Sequence, residues 1–173
     1  MMKKSMEEVW LRGGVDGYPG LLQPVVHAIL QAQEEIHDLM NCFPDNLLWE
    51  KPAGVANVAF HLQHIAGVLN RMSTYAKSEP LTEVQFDFLK HEGVFNEGIT
   101  TNKLLNDLDC TISGFLKVVS NIDVNTLTHL RTVGRAKLPS TVGGLLFHAA
   151  EHMQRHYGQL LVTVRILKYE KPD

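Results

Sequence analysis

The sequence predicts an all-α protein, a four-helix bundle with a short extra helical crossing between its second and third long helices. Two observations carry the prediction. Four separate stretches place apolar residues three and four apart, the spacing of a helix that buries one face. The gaps between them are rich in glycine, proline and short polar residues and contain no convincing strand. At 173 residues the chain is about one domain long, and residues 1–173 read as a single bundle domain with no repeat or low-complexity tract.

In chain order, Gly13, Gly14, Gly17, Pro19 and Gly20 break up the start, and Leu22, Val25, Val26, Ile29, Leu30, Ile36, Leu39 and Met40 then mark the first long helix. Pro24 is tolerable there because it lies in the opening turn. Asn41 to Gly54 is a connection, within which Trp49 either plugs one end of the core or stacks on a ligand. The second helix runs from about Val55 to Lys77, with Val58, Leu62, Ile65, Leu69 and Met72 in the 4-3-4-3 rhythm of bundle packing. Ser78 to Thr100 reads as the broken helical crossing, built on Val84, Phe86, Phe88 and Leu89, with His91 facing solvent. From Thr101, Leu104, Leu105, Leu108, Ile112, Phe115, Leu116 and Val119 form the third helix, weakened modestly by Gly114. Asn121 to Pro139 is a long connection whose His129, Arg131, Arg135 and Lys137 either line the entrance to a site or belong to a solvated loop. Ser140 or Thr141 caps the fourth helix, whose stripe is Leu145, Ala149, Met153, Leu160, Val164 and Leu167.

Bulk composition excludes several classes of function. A net charge of −3 and a pI near 6.3 give no electrostatic footprint for nucleic acid or an anionic membrane. Cys42 and Cys110 are too far apart for a CxxC pattern and read as intracellular thiols rather than a disulfide framework. Met1 to Arg12 is not followed by an apolar stretch long enough for a signal peptide, and no run approaches the length of a membrane span, so the expected compartment is the cytoplasm.

The chemistry concentrates in histidines. His148, His152 and His156 are spaced by four, which puts them on one face of the fourth helix at about 40° and about 6 Å per step. A pair at i, i+4 can bring two imidazole nitrogens onto one Zn²⁺-like ion, whereas His148 and His156 are about 12 Å apart along the axis. Taking Leu145 as zero, His156 sits near 20°, His152 near −20° and His148 near −60°. That phase favours His152/His156 over His148/His152, with His148 on the flank. In the second helix His61 and His64 lie at about −60° and −120° from Val58, so phase slightly favours His61 as the inward residue. One histidine from that helix would complete a three-nitrogen site, the arrangement of metal centres that keep a position open. The competing reading is a set of partly buried, hydrogen-bonded histidines with no metal role.

The segments Phe60-His61-Leu62-Gln63-His64-Ile65-Ala66-Gly67 and His148 to Leu160, ending in His156-Tyr157-Gly158-Gln159-Leu160, resemble the DinB/YfiT-like superfamily. Trp10-Leu11-Arg12-Gly13 and Leu138-Pro139-Ser140-Thr141 extend the resemblance over most of the chain. It implies a four-helix bundle holding a divalent metal on His64, His152 and His156, with His61 as the substitute. The resemblance implies Zn²⁺ or Ni²⁺ as the metal, with Fe²⁺ or Mn²⁺ as alternatives, and a low-molecular-weight thiol as a further cofactor. The implied activity is a thiol-dependent transferase or a hydrolase acting on a small molecule, carried by a homodimer. A non-catalytic metal-binding or stress-related bundle is the alternative. Independently, His148-Ala149-Ala150-Glu151-His152 fits H-x-x-E-H, an inverted zincin pattern with Glu151 as general base. Glu151 lies about 100° around the helix from His152, which favours a polar-face or supporting role.

Overall fold

A computed structural model describes residues 7–170. The reading of Met1–Arg12 can therefore be followed only from Glu7, because Met1 to Met6 lie outside the described residues. Among the described residues there are five α-helices: α1 (Gln23–Met40), α2 (Val58–Ala76), α3 (Glu83–His91), α4 (Thr101–Ser120) and α5 (Val142–Glu170). The four long ones form the bundle, with α1 and α2 each packed against both α4 and α5. The short α3 is the expected crossing and packs on α2.

The apolar stripes read from the sequence are the core. Val58, Leu62, Ile65, Leu69 and Met72 of α2 are buried, as are Leu145, Ala149, Met153, Leu160, Val164 and Leu167 of α5. From α4, Leu108, Ile112 and Phe115 meet Ile29 and Ile36 of α1 in the same cluster. Trp49 packs partly buried against this core, with its ring edge-on to Phe95 at 5.6 Å. Both cysteines are free and exposed. His91 is exposed, as expected. No described helix is long and apolar enough to cross a membrane.

Two local corrections have clear physical causes. Helix α2 starts three residues later than Val55, because Ala53 and Gly54 adopt positive φ and Asn57 is the true N-cap, its Oδ1 accepting from Phe60 N at 2.7 Å. The 121–139 connection is not strand-free: β1 (Leu130–Val133) pairs antiparallel with β2 (Leu138–Thr141). Each strand is only four residues long, with Leu130 and Leu138 exposed, so the alternation that announces a strand never builds up. The hairpin runs directly into α5. Its Thr141 Oγ1 accepts from Gly144 N at 3.0 Å, while Val142 N and Gly143 N donate to the carbonyls of His129 and Leu127. Thr141 is thus the capping side chain.

Asn57 does more than cap. Its Nδ2 also donates to Gly93 O at 3.3 Å, joining the first turn of α2 to the segment after α3, and the residue is only 2% exposed. Asn57→Ala is expected to lower stability by about 1–2 kcal/mol. Urea unfolding should show it as a lower midpoint at unchanged slope, and an unshifted midpoint would contradict the capping role.

Candidate metal centre

The antiparallel contact of α2 with α5 sets the histidines of one helix against those of the other. His64 Nε2 lies 3.0 Å from His152 Nε2, and His61 Nδ1 lies 3.1 Å from His156 Nδ1. Ring centroids are 4.5 Å apart for His64/His156 and 4.6 Å for His152/His156. Potential ligand atoms of His64, His152 and His156 all fall within 4.8 Å of one another, so the three could hold a metal ion. Two nitrogens bound to one tetrahedral ion at about 2.1 Å stand about 3.4 Å apart. The His64/His152 pair would need only a few tenths of an ångström of adjustment. His152 Nδ1 is buried without a hydrogen-bond partner. The ring's one hydrogen bond, between its Nε2 and His64, is the contact a cation between the two nitrogens would replace, so the donor set fits a divalent cation.

The phase reading ordered the α5 histidines correctly: His156 is buried, His152 half-buried, and the His148 side chain 44% exposed. In α2, phase and resemblance each describe one histidine. His61 is the inward residue, 2% exposed, yet its contact is with His156. His64 is the one grouped with the α5 pair. The H-x-x-E-H residues also come together, since His148, Glu151 and His152 form a second group within the same 4.8 Å limit. There Glu151 is already engaged on both oxygens, by His148 Nδ1 at 2.9 Å and Arg155 NH2 at 2.5 Å.

Arg131 and Arg135 of the long connection engage partners other than the clustered histidines. Arg131 Nε donates to Ala76 O at 2.8 Å and so closes the C-terminal end of α2, about 18 Å along that helix from His64. Arg135 sits over the Phe86 ring, and His129 is exposed.

Residues that sequence reasoning passed over complete the surroundings. Phe60 stacks on His64 with the rings 14° from parallel. Glu92, just past α3, receives His64 Nδ1 on one oxygen at 2.6 Å and Arg71 NH1 on the other at 2.7 Å. Only its position before Gly93 marked it, because a positive-φ glycine after a helix turns the chain back toward its neighbour. Gly93 N donates to Gln63 Oε1 at 2.7 Å, which docks this turn on α2.

The sequence model of the DinB superfamily matches residues 28–160. The chain belongs to the DinB superfamily. The matched region runs from α1 to just beyond His156 and includes every histidine of the cluster, together with Arg71 and Glu92. No curated protein matches the chain.

In this DinB-superfamily cluster burial favours the neutral, lone-pair-bearing form of His61, His152 and His156. The imidazoles of His61, His152 and His156 are each pushed down to about 4, chiefly by desolvation and then by repulsion from neighbouring cations and imidazoles. For His156, Glu92 and Glu151 pull weakly the other way. The unfolded chain takes up a proton at each near pH 6.5, the folded chain only near 4. Between those values the unfolded state holds more protons, so stability falls as pH falls. The urea midpoint of metal-free protein is expected to drop steadily from pH 6.5 to about 4. A flat midpoint across that window would show that folding does not perturb these rings.

Proposed function

We propose that this protein is a divalent-metal-dependent enzyme acting on a small molecule, with His64, His152 and His156 as the metal ligands. The observation that carries the proposal is the convergence of three imidazoles from two helices, with ligand atoms within 4.8 Å, in surroundings that keep two of them unprotonated far below neutrality. Three protein ligands are the set used by metal centres that keep a position for water or substrate. Zn²⁺ or Ni²⁺ is the proposed ion, with Fe²⁺ or Mn²⁺ as alternatives suited to imidazole. When bound, the ion supplies Lewis acidity that lowers the pKa of a coordinated thiol or water. The corresponding reactions are transfer involving a low-molecular-weight thiol, or hydrolysis.

The chain's own residues supply the rest. An open groove lined by His61, Arg155, Gln159, Val162 and Thr163 lies beside the cluster, since His61 bonds directly to His156. Its apolar and polar walls suit a small amphipathic substrate, and the donors of Arg155 other than the NH2 engaged by Glu151 offer a partner for an anionic group. His61 keeps the His156 ring in place through Nδ1. The protein is further proposed to act as a homodimer; a sedimentation mass near the 19.4 kDa of one chain would count against that.

Single His→Ala substitutions test the ligand set. Loss of His64, His152 or His156 should sharply lower bound metal while the bundle stays helical. Loss of His61 or His148 should weaken affinity less, by about 10–100-fold. If His156→Ala keeps full occupancy and His148→Ala loses it, the ion belongs to the His148–Glu151–His152 group instead. Bound metal measured against pH should show proton competition at His152 and His156 well below pH 6.5, because burial pushes both imidazoles down to about 4. Turnover of a thiol/electrophile pair or an ester by metal-loaded but not metal-free protein would support catalysis, and metal binding without turnover would favour a non-catalytic role.

A further inference from the structure

Glu92 is a carboxylate placed where the bundle has almost no solvent. Its side chain is 3% exposed and that of Arg71 9%, and the two are paired at 2.7 Å. Burying an ion pair is costly unless every remaining hydrogen-bonding position is used. Glu92 uses its second oxygen on His64 Nδ1, at 2.6 Å. Room for this arrangement comes from Gly67, where a Cβ would collide with both Glu92 Oε1 and Arg71 NH1. A glycine in mid-helix costs about 1 kcal/mol relative to alanine. Its place here is explained by the ion pair lying against the helix backbone.

A carboxylate only accepts hydrogen bonds, so Nδ1 of His64 must carry the proton. The Nε2 atom then bears the lone pair, and Nε2 is the nitrogen 3.0 Å from His152 Nε2. We propose that Glu92, anchored by Arg71, is a positioning residue that fixes His64 as its Nδ1–H tautomer and aims the Nε2 lone pair at the cation site. The proposal rests on His64 being a metal ligand. Arg71 fixes the direction of the relay: while the guanidinium occupies one oxygen, the carboxylate cannot turn away from the imidazole. Phe60, stacked on the ring face, restricts rotation from the side.

Glu92→Gln is the discriminating variant, because it keeps the shape and both hydrogen bonds. The amide must give its oxygen to Arg71, which only donates, and its NH₂ to His64. Nδ1 then becomes an acceptor and the proton moves to Nε2, the nitrogen that should meet the ion. Side-chain ¹⁵N NMR of metal-free protein is expected to show His64 as Nδ1–H in wild type and as Nε2–H in Glu92→Gln. Zn²⁺ affinity, measured by competition with a chromophoric chelator, should fall by about 10–100-fold in the variant. A purely structural Glu92 would change the thermal midpoint while leaving tautomer and affinity as they were. An Nε2–H tautomer in wild type overturns the proposal even if the variant does not fold. If His64→Ala binds Zn²⁺ like wild type, the ligand assignment is what fails. If His64→Ala loses Zn²⁺ while Glu92→Gln keeps it, the positioning role alone is wrong.

Discussion

Four imidazoles meet where α2 crosses α5, and the structure around them follows from holding those rings close together. Each ring brings one N–H and one lone pair, and a direct imidazole-to-imidazole bond uses one of each. The His64/His152 and His61/His156 pairs satisfy this across the helix contact. Such a pair fails once both rings are protonated, since two imidazoliums offer donors and no acceptor. The flanking apolar residues Leu62, Ile65, Ala149 and Met153 supply the dry surroundings that favour the neutral form. The same burial that stabilises the helix contact therefore prepares the nitrogens for a cation.

The two halves of the cluster are built by different means. The α2 half is held by one fold-back of the chain: the turn after α3, with Glu92 and Gly93, returns to α2 and bonds to Asn57, Gln63, His64 and Arg71. The α5 half depends on tertiary packing, because its histidines share a helix with the Leu145–Leu167 stripe and are oriented by whatever that stripe meets. Gln154 adds a polar constraint by donating to Ala28 O of α1 at 2.8 Å.

How much of this was legible in the sequence depended on the period of each signal. Long stripes over α2 and α5 announced themselves, and the phase of His156 within its stripe predicted its burial correctly. Distinguishing His61 from His64 exceeded what a five-residue stripe can resolve, since the two differ by only about 60° in phase, and both lie against α5 histidines. Glu92 carried almost no local signal, because its role comes from a fold-back that joins residues 28 positions apart. The hairpin was missed because four-residue strands with exposed leucines give too short a pattern. Arg131 could be suspected of a role, but its partner is a helix-terminal carbonyl, which no side-chain pattern records.

The hairpin, distant from the histidines, nevertheless governs which way they point. By taking the first backbone donors of α5 onto the carbonyls of Leu127 and His129 and the hydroxyl of Thr141, it clamps the rotational setting of that helix at its origin. Each residue added or removed between Val142 and His148 would turn the downstream helix by about 100°, carrying His152 and His156 away from α2 or forcing the stripe out of the core. Length changes in the Gly134–Lys137 turn would be absorbed before the clamp. Evolution of this chain is thus free to vary the tip of the hairpin and bound to a fixed residue count in the first two turns of α5.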